Sequence, residues 1–134
     1  MSATESHSSF SPVRVGALVV ALATAGIHLY LFLIDGFLGS GTRLPIYQLL
    51  FVGNFLAYVT LAIVLNLPAP SLARFRPIVR VLLIAIATAS IISYFYVGVT
   101  DTTGNVAKVI EVLLVALLTV DAAVSDPGDG SSGR

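Results

Sequence analysis

Four stretches of this chain are long and apolar enough to cross a bilayer as helices. They cover residues 15 to 34, 45 to 66, 78 to 99 and 104 to 124. Each offers about 20 mostly apolar residues, the length that a helix needs to span the hydrocarbon core, and a helix satisfies its backbone hydrogen bonds internally. The pattern therefore predicts an all-α, polytopic transmembrane domain over residues 14 to 124.

The segments between and beyond these stretches have the composition of turns and tails. Glycines and Pro45 separate the first two stretches, prolines bracket the second connection, and TDTTGN joins the last two. Because so short a connection makes two helices antiparallel neighbours, we expect two antiparallel hairpins. The composition of the Ser-rich leader (1–13) and of the Gly- and Ser-rich tail (125–134) predicts disordered cytoplasmic segments.

Basic residues predict the orientation of the domain, because Lys and Arg near span ends are retained on the cytoplasmic side. Most of them fall on the side of both termini, namely Arg14, Arg74, Arg76, Arg80 and Arg134. Arg43 and Lys108 fall on the other side. We therefore expect a multi-pass protein of the cell membrane with both termini in the cytoplasm.

The two halves of the chain resemble each other under a shift of 64 residues. Residues 21 to 33 (ALATAGIHLYLFL) align without gaps on residues 85 to 97 (AIATASIISYFYV), with six of thirteen positions identical. Ala-rich spans also resemble one another by chance, so a duplication and a chance likeness both stay open. A duplication would give a parallel internal repeat, two hairpins related by an axis along the membrane normal.

Composition narrows the classes of function. Hydrophobic residues make up 57% of the 134 and charged residues 10%, the seven basic and seven acidic side chains cancel, and there is no Cys. A neutral chain has no long-range field that attracts nucleic acid. The sequence contains no Ser-His-Asp spacing, phosphate-binding glycine loop or metal-ligand cluster. We therefore expect no enzyme activity, cofactor, metal or nucleic-acid partner.

Small residues spaced by four predict the faces through which the helices pack. Lipid gives apolar helices no hydrophobic reason to associate, and residues at this spacing share a helix face. The pairs are Ala21 and Ala25, Gly53 and Ala57, and Ala85 and Ala89. Helical spacing continues the first of these faces to His28, which we therefore expect to face the interior.

Glu111 is the most informative residue, since an ionisable group about 10 Å inside a span needs a partner. Lys108 precedes it by three residues and shares its helix face. In the expected orientation His28 and Glu111 each lie about 9 to 11 Å from the outer ends of their spans, at a depth similar to that of Asn54 and Tyr94. We predict an outer-leaflet ligand or proton site of His28, Asn54, Tyr94, Lys108 and Glu111.

This cluster also has a plainer interpretation, in which its members only hydrogen-bond one another and fix the register of the helices. A carboxylate beside an imidazole can instead hold a proton-transfer pair or bind a small polar ligand. For Arg74, Arg76 and Arg80 we predict contact with anionic lipid headgroups, which attract each nearby basic side chain by about 1 kcal/mol.

Three stretches carry a family resemblance: AGIHLYLFLIDGF, YQLLFVGNFLAYVTLAIVL and AKVIEVLLVALL. Together they resemble small four-helix integral membrane proteins common in actinobacteria, a family without an established activity, over nearly the whole chain except the tails. A His in the first span and an acidic residue in the last recur in that family, which implies corresponding positions for His28 and Glu111. The architecture alone is also similar to that of DoxX-like proteins.

Two classes of function stay open at this point. The lack of catalytic groups and the short loops favour an accessory, assembly or structural membrane subunit, whose partners would be the bilayer and other subunits or a second copy. The alternatives are a proton-linked carrier of a small substrate that uses His28 and Glu111, and a quinone- or lipid-binding membrane protein. A carrier would need a homodimer, because four helices are expected to enclose little cavity.

Overall fold

The computed structural model describes residues 11–37, 45–98 and 101–125, and within these ranges the chain is helical apart from short connections, with no strand. The leader before residue 11 and the tail after residue 125 lie outside the described residues. The helices are α1 (Pro12–Leu31), which continues as a π-helical segment (Phe32–Phe37), α2 (Pro45–Asn66), α3 (Pro70–Ala73), α4 (Arg76–Val97) and α5 (Thr102–Ser125). The predicted stretches are thus confirmed as helices to within a few residues.

Proline and glycine set the helix boundaries. Pro12, Pro45 and Pro70 are the first residues of α1, α2 and α3, where the missing N–H would have no partner within the helix. At the other end of α4, Gly98 has a left-handed φ of 71° and its N–H donates to the Tyr94 carbonyl at 3.3 Å. This αL cap ends α4 and turns the chain towards α5.

Three of the helices are long and apolar enough to cross a membrane. They are Pro12–Ile34, Pro45–Asn66 and Arg76–Val97, with mean hydropathies of 2.3, 2.0 and 2.1. Large aliphatic side chains on their outer faces, such as Val19, Leu49 and Val81, are exposed, as lipid contact requires. The three spans indicate a membrane location.

Each long helix packs against two others. Helix α1 contacts α2 and α5, and α4 contacts the same two helices. Small and branched side chains fill the interior between them, among them Ala17, Ala21, Ala25, Ala62, Leu65, Leu83, Ala87, Leu114 and Leu118. Alanines on α1 let its backbone approach its neighbours closely.

The predicted small-residue faces are confirmed on α1 and wrong on α4. Ala21 and Ala25 are each 1% exposed. Ala85 and Ala89 are exposed, whereas Ala87 is fully buried. Both faces of α4 are apolar, so the alanine spacing alone did not show which face turns inward. The same reason applies to Gly53 on α2, which is exposed although it was expected inside.

The 64-residue shift does not superpose the packing faces of the two halves. It carries the six buried residues of α1 onto positions 81, 85, 88, 89, 92 and 95 of α4, and all six of these are exposed. Under this alignment α1 and α4 therefore present opposite faces to the interior.

Candidate functional site

Glu111 on α5 is the centre of a buried polar cluster. Its side chain is completely enclosed. Oε2 accepts a hydrogen bond from Lys108 Nζ at 2.6 Å, while Oε1 accepts from Ser90 Oγ at 2.9 Å and from Tyr58 OH at 3.2 Å. The donors come from α2, α4 and α5, so the carboxylate ties three helices together. Such pairing is what a buried charge requires.

His28 brings α1 to the same carboxylate. Its Nε2 lies 3.7 Å from Glu111 Oε1, and its Nδ1 lies 2.9 Å from the Thr24 carbonyl oxygen one turn earlier. The ring packs at 6.2 Å from the Phe51 ring and 5.7 Å from the Tyr58 ring. These contacts fix the plane of the imidazole and direct Nε2 towards Glu111.

Lys108 bridges the cluster to α4. Its Nζ contacts Ser90 Oγ at 2.6 Å in addition to Glu111, and it lies 5.5 Å from the centre of the Tyr94 ring, within the range of a cation–π contact. Because the Ser90 hydroxyl gives its proton to Glu111, its oxygen accepts from Lys108. The ammonium therefore points into the protein and towards its partners, rather than outwards.

Tyr94 and Asn54 flank this cluster. The Tyr94 hydroxyl accepts from the Asp101 backbone N–H at 3.0 Å and lies 3.0 Å from Asn105 Oδ1, to which it donates. Tyr94 thereby closes the turn between α4 and α5, and its ring meets Lys108. Asn54 lines the cavity beside the cluster.

The structure thus brings two of the five predicted site residues, His28 and Lys108, to a third, Glu111, and places the ring of a fourth, Tyr94, against Lys108. Ser90 and Tyr58 belong to the same cluster and were missed. Tyr58 lies in the middle of α2, far from the interfacial positions that tyrosines favour in membrane helices, and this depth was the available signal. Ser90 gave a weaker one, because Thr88 and Ser93 offer hydroxyls on the same stretch of helix.

A cavity of about 730 Å³ adjoins the cluster. All four long helices line it. The cluster residues His28, Ser90 and Lys108, which we call its polar floor, line it together with other polar side chains such as Asn54 and Asp101 and with apolar side chains that include Leu31, Leu50, Phe51 and Ile86. Some lining residues, such as Leu50 and Ile92, are exposed, so the cavity is open to the outside of the molecule. Its size falls within the range of small-molecule sites.

A second polar cluster lies at the opposite ends of the helices and was not predicted. Arg80 is buried, and its Nε and Nη2 donate to Asp121 Oδ2 at 3.1 and 2.7 Å. Arg14 Nε lies 3.7 Å from the other carboxylate oxygen. Arg80 is therefore not the exposed headgroup contact that the sequence predicted, because it forms an ion pair with the buried Asp121.

The other two arginines of the predicted headgroup set lie near the short helix α3. Arg74 is exposed, with its guanidinium 4.7 Å from the Phe75 ring centre. Arg76 is partly buried and donates to the Leu67 carbonyl at 3.2 Å. Contact with lipid headgroups stays a prediction for this pair.

Among the described residues, no group of three His, Asp or Glu side chains could hold a metal ion. No family model, no curated protein and no solved structure matches the chain. The likeness to actinobacterial four-helix membrane proteins therefore stays a prediction, and function has to be argued from the site itself.

Proposed function

We propose that the chain crosses the membrane four times, with α5 as the fourth span. Valines and leucines on α5, among them Val109, Val112 and Val124, are exposed, and a lipid-facing helix needs such a surface. Its charged residues Lys108, Glu111 and Asp121 are buried and paired, which offsets much of the cost of an ionisable group within a span. The bias of basic residues supports a cytoplasmic position for both termini.

Cysteine labelling tests this topology cleanly, because the native sequence contains no Cys. Ser71→Cys in α3 and Thr102→Cys at the start of α5 place single thiols at exposed positions. In intact cells a membrane-impermeant maleimide should label the second thiol and leave the first unlabelled until the membrane is opened. Labelling of both thiols in intact cells would contradict the proposed topology.

We further infer that the protein binds a small amphiphilic molecule of the lipid or quinone kind. The observation that carries this function is the cavity, which has apolar walls and a floor of His28, Ser90 and Lys108. An apolar body would fill the space between α2 and α4, while a polar head would meet the floor. A lining surface that is mostly apolar, with a smaller polar part, is typical of small-molecule sites.

Filling the cavity tests this function. Ala89 lines the cavity and Ala85, one turn away, does not, although both are exposed. In lipid nanodiscs a photoreactive analogue of dodecanol should crosslink to residues of the cavity, and unlabelled dodecanol should compete. Ala89→Phe should abolish this crosslinking, whereas the matched variant Ala85→Phe should retain it. Equal crosslinking in the two variants would contradict binding in the cavity.

An accessory or structural subunit is a second candidate function. The observation in its favour is that Glu111 and Asp121, both deeply buried, find their cationic partners within the same chain, as a bundle that only holds its helices in register requires. Exposed Arg74 and Phe75 then offer a contact for another subunit. The test is mild extraction of the protein from native membranes, followed by measurement of what it is bound to. A complex of fixed stoichiometry that is lost in the Arg74→Ala variant would favour this candidate. A protein that elutes without a partner would count against it.

A further inference from the structure

The hydrogen bond between His28 and Thr24 determines which nitrogen of the imidazole carries a proton. A backbone carbonyl can only accept, so Nδ1, at 2.9 Å from the Thr24 oxygen, is the donor. In a neutral imidazole Nε2 then has a lone pair and no hydrogen. That lone pair faces Glu111 Oε1 at 3.7 Å, so two acceptors oppose each other in a buried place.

The other members of the cluster do not supply the missing hydrogen. Ser90 and Tyr58 each have one hydroxyl proton, and both donate to Glu111 Oε1. Lys108 gives one N–H to Oε2 and one to the Ser90 oxygen. The gap between His28 Nε2 and Glu111 Oε1 is therefore a place for one additional proton taken from solution.

That proton would change the charge of the cavity floor. With a neutral His28, the charges of Lys108 and Glu111 cancel. With a protonated His28, the three residues carry a net charge of one positive unit, beside a cavity that His28 and Lys108 both line. Lys108 has three N–H groups, and two of them are used in the bonds to Glu111 and Ser90. Among the described residues the third has only the Tyr94 ring beside it, so it is available to a ligand.

We propose that the cavity binds a carboxylate amphiphile, such as a fatty-acid anion, together with one proton on His28 Nε2. This rests on the proposed binding function and names its ligand class. The carboxylate would accept from the third N–H of Lys108, and its charge would offset the added proton. The proton comes from bulk water and forms the Nε2–H bond of His28, and no other covalent bond changes, so ligand and proton enter as a neutral pair.

The groups that face His28 from each neighbouring helix agree with this assignment. From α2 come the hydroxyl of Tyr58 and the Phe51 ring, from α4 the hydroxyl of Ser90, and from α5 Lys108 and Glu111. Asp101 also lines the cavity, beyond Tyr94, where its carboxylate caps the first turn of α5 through the Gly104 N–H. Glu111 is therefore the only carboxylate among the described side chains that contacts His28.

Linkage gives the expected measurement. If a proton and a carboxylate bind together, each raises the affinity for the other by the same factor. When dodecanoate is added to the purified full chain in weakly buffered nanodiscs, the protein should take up about one proton for each dodecanoate bound. Over the pH range of this uptake, the affinity of the protein for dodecanoate should rise by up to about tenfold for each unit fall in pH. Dodecanol, which has no charge, should bind without proton uptake.

His28→Gln is the decisive variant, because its amide can donate to Glu111 but cannot take up a proton. Its far-ultraviolet circular dichroism should match that of the native chain, which shows that it folds, and its proton uptake with dodecanoate should disappear. His7→Gln, at the other histidine of the sequence, is the matched control and should behave as the native chain. Undiminished uptake in His28→Gln would overturn the proposal, because the proton would then enter on the ligand.

A measurement that leaves His28 in place covers the case in which His28→Gln fails to fold. In the His7→Gln chain, ¹⁵N-histidine labelling reports His28 alone. Its Nε2 signal should move from the unprotonated to the protonated range when dodecanoate is added and stay unprotonated with dodecanol. No change with dodecanoate while dodecanol binds would overturn the proton linkage alone. If neither amphiphile binds, the proposed binding function itself fails.

Discussion

Replacing Lys108 with Met should destabilise the protein strongly, because Glu111 would be left as a buried carboxylate without its cation. The bond to Lys108 is 2.6 Å long and the Glu111 side chain is 0% exposed. Removing one partner from a buried ion pair costs about 3–5 kcal/mol. Ser90 and Tyr58 still donate to the carboxylate, so we expect a loss near the lower end, about 3 kcal/mol.

A double-mutant cycle separates this pairing from other effects of the substitution. Glu111→Gln removes the charge and keeps the shape, so the double variant Lys108→Met with Glu111→Gln contains no unpaired charge. Its loss of stability should be smaller than the sum of the two single losses by at least about 2 kcal/mol, well above the 0.3–0.5 kcal/mol within which independent sites add.

Reversible unfolding in mixed detergent micelles, followed by circular dichroism, measures these differences. Val109→Met is the control, because Val109 follows Lys108 on α5 and is 70% exposed, and it should change the stability by no more than about 0.5 kcal/mol. If the Lys108 ammonium extended to lipid headgroups instead, Lys108→Met would resemble this control and the effects of the two single variants would add. That result would refute the buried pair.

Two further predictions concern other contacts. A Cβ on Gly104 would lie 2.5 Å from Tyr94 Cε2, whereas one on Gly53 would meet nothing within 4 Å. Gly104→Ala should therefore lower the stability by about 1–3 kcal/mol through overpacking, whereas Gly53→Ala should leave it unchanged or raise it slightly. Equal unfolding temperatures of the two variants would contradict the close approach of Gly104 to Tyr94. Arg80→Met should lower the unfolding temperature far more than Arg74→Met, because only Arg80 is bound to a buried carboxylate; a similar fall for both would contradict that pairing.

Much of the candidate site could be predicted from the positions of its residues along the helices. A rise of 1.5 Å per residue places His28 and Glu111 at a similar distance from the end of the first predicted span and the start of the last, and the structure brings their side chains into contact. Lys108 followed from its spacing of three residues on the same helix. These inferences needed only the helix boundaries, which proline, glycine and the length of each apolar run mark well.

The missed residues are those whose role depends on the rotation of a helix about its axis. Ser90 and Tyr58 stand within apolar helices, and no polar stripe marks the inward face. Arg80 and Asp121 are about 40 residues apart, and only the packing of α4 against α5 brings them within 2.7 Å. The wrong assignment of Ala85 and Ala89 has the same origin.

The sequence by itself determined the helices, their approximate ends and the matching positions of His28 and Glu111 along them, because these depend on local composition and on a fixed rise per residue. The tertiary structure decided which face of each helix turns inward, which polar groups meet, and that a cavity remains beside them. The physical reason is that lipid and a protein interior are equally apolar. Burial then leaves no amphipathic pattern on a membrane helix, and only the fit of side chains between helices selects the face.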